Sequence, residues 1–230
     1  MVSFRHAIDL GADGIEFDVQ STADGRLVVI HDVSLDRTTD GGGPVFASSF
    51  DAVRKLDAGS WFGADFAGEQ TPTLAEVLAL GGVEFELELK SYGPAFVDRV
   101  LAEVVAAQVL DRVEFTASNV PLLLLLKRRE PTARIGLFSA PQAVWMSDDV
   151  YEHHVVGVAE TSGADVIHVP ARCITSRIVD RLHGLGKVVH GNDAADVGEV
   201  RRVVWAGADR LSTNDVAMAI ATRDEGAACR

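Results

Sequence analysis

Residues 13–32 read Asp-Gly-Ile-Glu-Phe-Asp-Val-Gln-Ser-Thr-Ala-Asp-Gly-Arg-Leu-Val-Val-Ile-His-Asp. Ile15, Phe17 and Val19 alternate with Glu16, Asp18 and Gln20, the period of a strand, which sets Glu16 and Asp18 on one face. Asp24-Gly25 separates this run from Leu27-Val28-Val29-Ile30, and Asp-Gly between two apolar runs is a hairpin signal. With Asp24 and Gly25 as the two turn residues, counting back sets Thr22 against Leu27 and Asp18 against His31. The hairpin would then gather two carboxylates and an imidazole, a candidate divalent-metal site with an acid/base beside it. The competing reading is a solvent-facing strand with a surface histidine at its end.

Outward from the hairpin, Phe4 to Leu10 reads as a helix closed by Gly11, so the chain opens on a helix with no strand before it. Ser34 to Pro72 is long, glycine-rich and irregular, the pattern of an excursion over a binding face. It holds a short helix near Phe50 to Leu56. Thr73 and Glu76 form a capping box. Strands and helices then alternate. Strands are expected at Val83–Lys90, Val113–Ala117, Ala133–Phe138, Val166–Val169, Lys187–His190 and Arg210–Ser212. Helices are expected at about 95–107, 121–129, 151–162, 175–184 and 195–205, and from Val216 into a polar tail.

That alternation predicts a parallel sheet. Seven crossover strands and an unpartnered first helix point to an α/β fold, a (β/α)8 TIM-type barrel missing its first strand. A small insertion after the first hairpin, about 35–70, belongs to this single domain of residues 1–230. A doubly wound open sheet is the runner-up, but it would want a glycine-rich phosphate turn after the first strand, where this chain has a hairpin.

In such a barrel the active site lies at the C-terminal strand ends. Glu16, Asp18 and Glu88 converging there suit a hard cation, Mg²⁺ or Ca²⁺. Lys90 would add positive charge against a developing anion, unless Glu88 and Lys90 are an ordinary solvated salt bridge. The 230 residues are 47% hydrophobic with a net charge of −13, a pI near 4.9 and a mean hydropathy of +0.15. This acidity argues against nucleic acid as a partner. No run approaches the roughly 20 apolar residues of a membrane span. Cys173 and Cys229 are too few for a disulfide framework or a zinc cluster. With no signal-peptide pattern visible, the expected location is the cytoplasm.

The motifs Gly11-Ala-Asp-Gly-Ile-Glu-Phe-Asp-Val19, Val28-Val-Ile-His-Asp32, Asp36-Arg-Thr-Thr39, Leu56-Asp-Ala-Gly-Ser-Trp-Phe62, Thr71-Pro-Thr-Leu-Ala-Glu-Val-Leu78 and Glu88-Leu-Lys90 occur in order. With them the chain resembles the glycerophosphodiester phosphodiesterases, specifically over residues 4–90 and more loosely beyond. The resemblance implies a (β/α)8 barrel and one divalent cation, Ca²⁺ or Mg²⁺, held by Glu16, Asp18 and Glu88. It implies hydrolysis of a small-molecule glycerophosphodiester to glycerol 3-phosphate and an alcohol. His31 matches one of two acid/base histidines and Lys90 a phosphate contact. Trp61 and Phe62 would sit over the glycerol pocket or pack the insertion. His190, at a strand end, would face substrate or hydrogen-bond within the rim.

The chain also departs from that family. The family's opening His-Arg-Gly and the Pro-Glu-Asn after it do not occur, an expected shortfall of about 15–25 residues, or one strand and its loop. The first acid/base histidine goes with them. Two other functions therefore stand beside hydrolysis: a non-catalytic member that binds phosphodiesters or metal, and a sphingomyelinase D-like lipid phosphodiesterase. His153, His154, His168 and His183 show no ligand spacing and read as surface or rim residues.

Overall fold

The computed structural model describes residues 1–228; Cys229 and the end of the expected polar tail lie outside them. The chain forms two compact units. Residues 1–115 with 125–133 make the first, and 116–124 with the chain from 134 onward the second.

The first unit opens on helix α1 (Val2–Asp9), which stops at Leu10 before Gly11 takes a φ of +96°. Strand β1 (Gly14–Ser21) and strand β2 (Leu27–Val29) form the expected hairpin. Its register corrects the sequence reading by one residue. Val19 faces Val29 and Ser21 faces Leu27, so the position opposite Asp18 belongs to Ile30, whose N–H donates to the Asp18 carbonyl at 3.0 Å. The cause is the turn. Ala23, Asp24 and Gly25 all lie inside it, Thr22 N–H donates to the Arg26 carbonyl, and Gly25 sits at φ +80°. A three-residue loop with glycine in the left-handed region is the next commonest hairpin closure after the two-residue turn assumed from Asp-Gly. Thr22 fixes this choice: its hydroxyl donates to Asp24 Oδ1 at 2.7 Å and accepts from Arg26 N–H.

The insertion contains short helix α2 (Phe50–Val53), capped by Ser49. Its own small core of Val28, Ile30, Leu35, Val45 and Val53, with Phe50 and Leu56 against it, seats it on the hairpin. Asp57 organises its far end, accepting from the N–H groups of Gly59, Ser60 and Gly68 and from the Ser60 hydroxyl. There a methyl group has no room. A Cβ on Gly59 would lie 1.9 Å from the Phe66 carbonyl oxygen, and backbone cannot swing aside. Gly59→Ala is therefore expected to destabilise the protein by about 1–3 kcal/mol, read as a lower midpoint in urea denaturation.

Helix α3 (Leu74–Leu78) carries the expected capping box of Thr73 and Glu76, and Arg54 forks onto the same Glu76 carboxylate at 2.9 and 2.8 Å. Strand β3 (Glu84–Leu89) runs parallel to β1, setting Glu16 beside Glu86 and Asp18 beside Glu88. Helix α4 (Pro94–Ala106) buries Phe96, Val97, Val100, Leu101 and Val104 along one stripe, the spacing of a helix lying on a core. Strand β4 (Val113–Ala117) follows, and the strands of this unit lie in the order β2-β1-β3-β4. Phe17 is the unit's aromatic centre, edge-on to Phe4 at 6.0 Å and to Phe85 at 6.1 Å.

Helix α5 (Val120–Arg129) joins in next. The second unit is a parallel sheet of β5 (Arg134–Phe138), β6 (Val166–Pro170), β7 (Val188–Asn192) and β8 (Arg210–Leu211), in that order. Helices α6 (Asp148–Ser162), α7 (Ser176–Gly184), α8 (Val197–Ala206) and α9 (Val216–Ala228) come between and after these strands. α6 begins three residues before the expected Tyr151 because Ser147 caps it. Its buried Glu152 is met by Arg177 at 2.6 Å and Arg181 at 2.9 Å, both from α7. Among the described residues, no helix is long and apolar enough to cross a membrane.

Candidate active site

Side chains two apart on a strand share a face, and the parallel register of β1 on β3 does the rest. Glu16, Asp18 and Glu88 each offer a carboxylate oxygen within 4.8 Å of the others. Lys90, just past β3, reaches over two of them, with Nζ 3.2 Å from Asp18 Oδ1 and 2.9 Å from Glu88 Oε1. The sequence pattern thus brings four of its predicted residues together in one cluster.

The cluster is electrostatically loaded. Burial of its carboxyl, and then the negative charges of Asp18, Glu86 and Glu88, push Glu16 up to about 9. Burial also raises Glu88, against the hydrogen bond from Lys90. Lys90 itself is raised: desolvation works against its charge, but the bond to Glu88 and the charge of Asp18 outweigh it. Three hard oxygen donors, crowded and only partly neutralised by one ammonium, are the donor set of an Mg²⁺- or Ca²⁺-type ion. A divalent cation would offset the burial and the repulsion that together hold Glu16 protonated, so the residues present fit such an ion.

His31 is on the loop leaving β2, one residue past the position opposite Asp18, with its side chain 65% exposed. Its Nδ1 is 2.8 Å from Asp32 Oδ1. Sequence reasoning missed what holds this loop. The Gln20 side-chain amide, buried on β1, donates to the carbonyls of Ile30 at 2.9 Å, His31 at 3.2 Å and Asp32 at 2.6 Å. The signal was available, since Gln20 continues the Glu16–Asp18 face at the same two-residue spacing.

Trp61 and Phe62 stand on the insertion, 51% and 71% exposed. Their rings meet edge-on at 5.7 Å, and Phe62 meets Phe66 at 5.3 Å. Trp61 donates its ring N–H to the Ala58 carbonyl at 2.9 Å. Both rings keep a large open surface rather than filling the insertion's core.

His190 and His168 are in the second unit. The β6–β7 register places them side by side, with ring centroids 4.3 Å apart, and Phe138 lies 4.8 Å beyond His168. His168 is fully buried, which corrects its reading as a surface or rim residue; β6 is paired on both sides within its unit and covered on both faces. Burial first, then the neighbouring charges of His168 and Arg210, hold His190 well below the usual histidine range, so it is a neutral imidazole. Unfolded, it would bind a proton below about pH 6.5. Folded, it resists that proton. Stability is therefore fully present above about pH 6.5 and falls with pH below it, by up to about 1.4 kcal/mol per unit. Urea unfolding of His190→Gln is expected to show a shallower loss between pH 6.5 and 5 than the parent.

The Glycerophosphoryl diester phosphodiesterase family model matches residues 1–218. The chain belongs to that family. A glycerophosphodiester phosphodiesterase of Caldanaerobacter subterraneus subsp. tengcongensis is 42% identical over 143 residues, 60% of this chain and 59% of that protein. The chain thus spans somewhat over half the length of this curated relative. The crystal structure of an Agrobacterium tumefaciens glycerophosphodiester phosphodiesterase superposes with a TM-score of 0.78 at 26% identity, covering 94% of this chain and 90% of that one. An Oleispira antarctica phosphodiesterase, solved in complex with the product sn-glycerol-3-phosphate, superposes at 0.75 with 23% identity, covering 94% and 87%. The fold class is the (β/α)8-type α/β barrel of these phosphodiesterases.

Proposed function

We propose that this chain hydrolyses small-molecule glycerophosphodiesters to sn-glycerol 3-phosphate and an alcohol, with one Mg²⁺ or Ca²⁺ held by Glu16, Asp18 and Glu88. The observation that carries this reading is the cluster of three carboxylate oxygens within 4.8 Å, bridged in part by Lys90. Membership of the family supports it, as does a product-bound structural neighbour.

When bound, the cation would supply Lewis-acid stabilisation of the phosphoryl group. Lys90 sets a fixed ammonium beside the same face and offsets negative charge as it builds on the phosphoryl oxygens. His31 transfers the proton. Asp32 is an ionised acceptor, because its bonds from Arg37 and His31 hold it well below the usual carboxylate range. Nδ1 of His31 therefore keeps its hydrogen, and Nε2 is the exchanging nitrogen. The neighbouring glycerol hydroxyl attacks phosphorus, and the alcohol leaves with one proton. Water then opens the cyclic phosphodiester. Trp61 and Phe62 present an apolar surface to the glycerol end of the substrate, and His190, which lies in the middle of β7 and not at the strand end expected from the sequence, keeps a neutral imidazole.

The test is release of glycerol 3-phosphate from glycerophosphocholine by the purified chain, with Mg²⁺, with Ca²⁺ and with EDTA. The expected result is release that stops with EDTA and returns when the metal is restored. Metal binding without turnover on glycerophosphocholine would instead favour a phosphodiester-binding role. Release of choline from sphingomyelin alone would favour the lipid phosphodiesterase.

A further inference from the structure

Five residues beyond Asp32, a second side chain takes hold of the same carboxylate. Arg37 Nε lies 2.5 Å from Asp32 Oδ2 and its Nη2 lies 2.8 Å from Oδ1. This is a forked, two-bond contact, which fixes the plane of a carboxylate as well as its charge. Oδ1 is also the oxygen that meets His31 Nδ1 at 2.8 Å. The guanidinium is placed from its other side by Trp61, whose ring centroid is 5.8 Å from Arg37 Cζ. The backbone under both His31 and Asp32 is pinned by the Gln20 amide. A loop carbonyl set and a side-chain clamp thus converge on one imidazole.

Which imidazole nitrogen carries the hydrogen is set by the bond the other side makes. Asp32 by itself could turn about its side chain and release Nδ1. Held by two parallel bonds, it cannot turn without breaking both.

We propose that Arg37 is a positioning residue for the reaction. It locks the Asp32 carboxylate and thereby keeps His31 in the Nδ1–H form, with Nε2 as the nitrogen that exchanges a proton with substrate. The role in turnover rests on the phosphodiesterase reading above; the role in fixing the tautomer does not. The exposed Arg37–Asp32 pair adds little to stability as a surface ion pair, so its consequence lies in geometry.

The experiment is long-range ¹H–¹⁵N correlation of the histidine rings in the full metal-free chain at alkaline pH. The His31 signal is identified by its loss in His31→Gln. The parent is expected to show His31 protonated at Nδ1. Arg37→Gln should move it to a majority Nε2–H population, and Arg37→Lys, which restores the charge but not the fork, should fall between. In the same variants kcat on glycerophosphocholine should drop about tenfold in Arg37→Gln and less in Arg37→Lys, with KM within twofold, as expected of a residue acting through the proton-transfer group. An unchanged His31 tautomer in both variants overturns the proposal, whatever happens to melting temperature. A tautomer shift in a chain that turns over no substrate supports the clamp and removes the phosphodiesterase reading instead.

Discussion

Asp18→Asn is expected to lower metal-dependent hydrolysis of glycerophosphocholine by about 10²–10³-fold, because a metal's transition-state stabilisation is several kcal/mol and each 1.36 kcal/mol is tenfold. Asp18 is the member of the carboxylate set that is buried as a whole residue, and its Oδ1 also meets Lys90. Asparagine keeps the shape and removes the charge, so packing around β1 stays while the anionic donor set falls from three to two. The melting temperature without metal should change by only a few degrees, since lost attraction to Lys90 is set against lost repulsion from Glu88. Binding of Mg²⁺ or Ca²⁺ should carry the same signature in protons. A carboxyl pushed up to about 9 is protonated at pH 7 and must lose that proton to serve as a ligand. Metal affinity in the parent should then rise with pH up to about 9, with close to one proton released per ion at pH 7. Asp18→Asn removes one of the charges that raise Glu16, so it should release fewer. Titration calorimetry in two buffers of different ionisation enthalpy measures both quantities. Equal hydrolysis in parent and variant would remove the carboxylate cluster from the chemistry.

Much of this cluster is legible in the sequence because strand periodicity is a local property. Alternation alone put Glu16 with Asp18, and Glu88 with Lys90; only their approach to one another needed the parallel register of β1 on β3. The hairpin was legible in kind but not in register, because Asp24-Gly25 serves a two-residue and a three-residue turn equally well and the Thr22 hydroxyl decides between them. That single residue moved His31 off the position opposite Asp18 and onto the outgoing loop. Of the contacts that hold it there, two-residue spacing puts Gln20 on the right face, but its bonds 10 to 12 residues along and the Arg37 bond across 5 residues follow from no spacing rule. His168 was misread for a related reason. A lone histidine says nothing of how many neighbours its strand will have, and β6 is paired on both sides within its unit.

His31→Ala carries the largest expected effect, a fall of about 10²–10⁴-fold in kcat for glycerophosphocholine, the range for losing a positioned general acid or base. The side chain is mostly exposed and the loop backbone is held by Gln20 rather than by the ring, so the variant should fold and bind metal as the parent does. The nature of the leaving group separates the two roles the imidazole can play. Choline leaves as a poor, strongly basic alkoxide unless it is protonated, whereas p-nitrophenolate leaves without help. If His31 is the acid, His31→Ala should lose far less on a p-nitrophenyl phosphodiester of glycerol than on glycerophosphocholine. If it is the base that deprotonates the attacking hydroxyl, the two substrates should suffer alike. A variant that retains hydrolysis within threefold of the parent on both would place the proton transfer elsewhere. The Arg37 clamp should follow whichever role is found, since it acts on the same nitrogen through Asp32 and its loss should reproduce the His31→Ala leaving-group pattern at smaller amplitude.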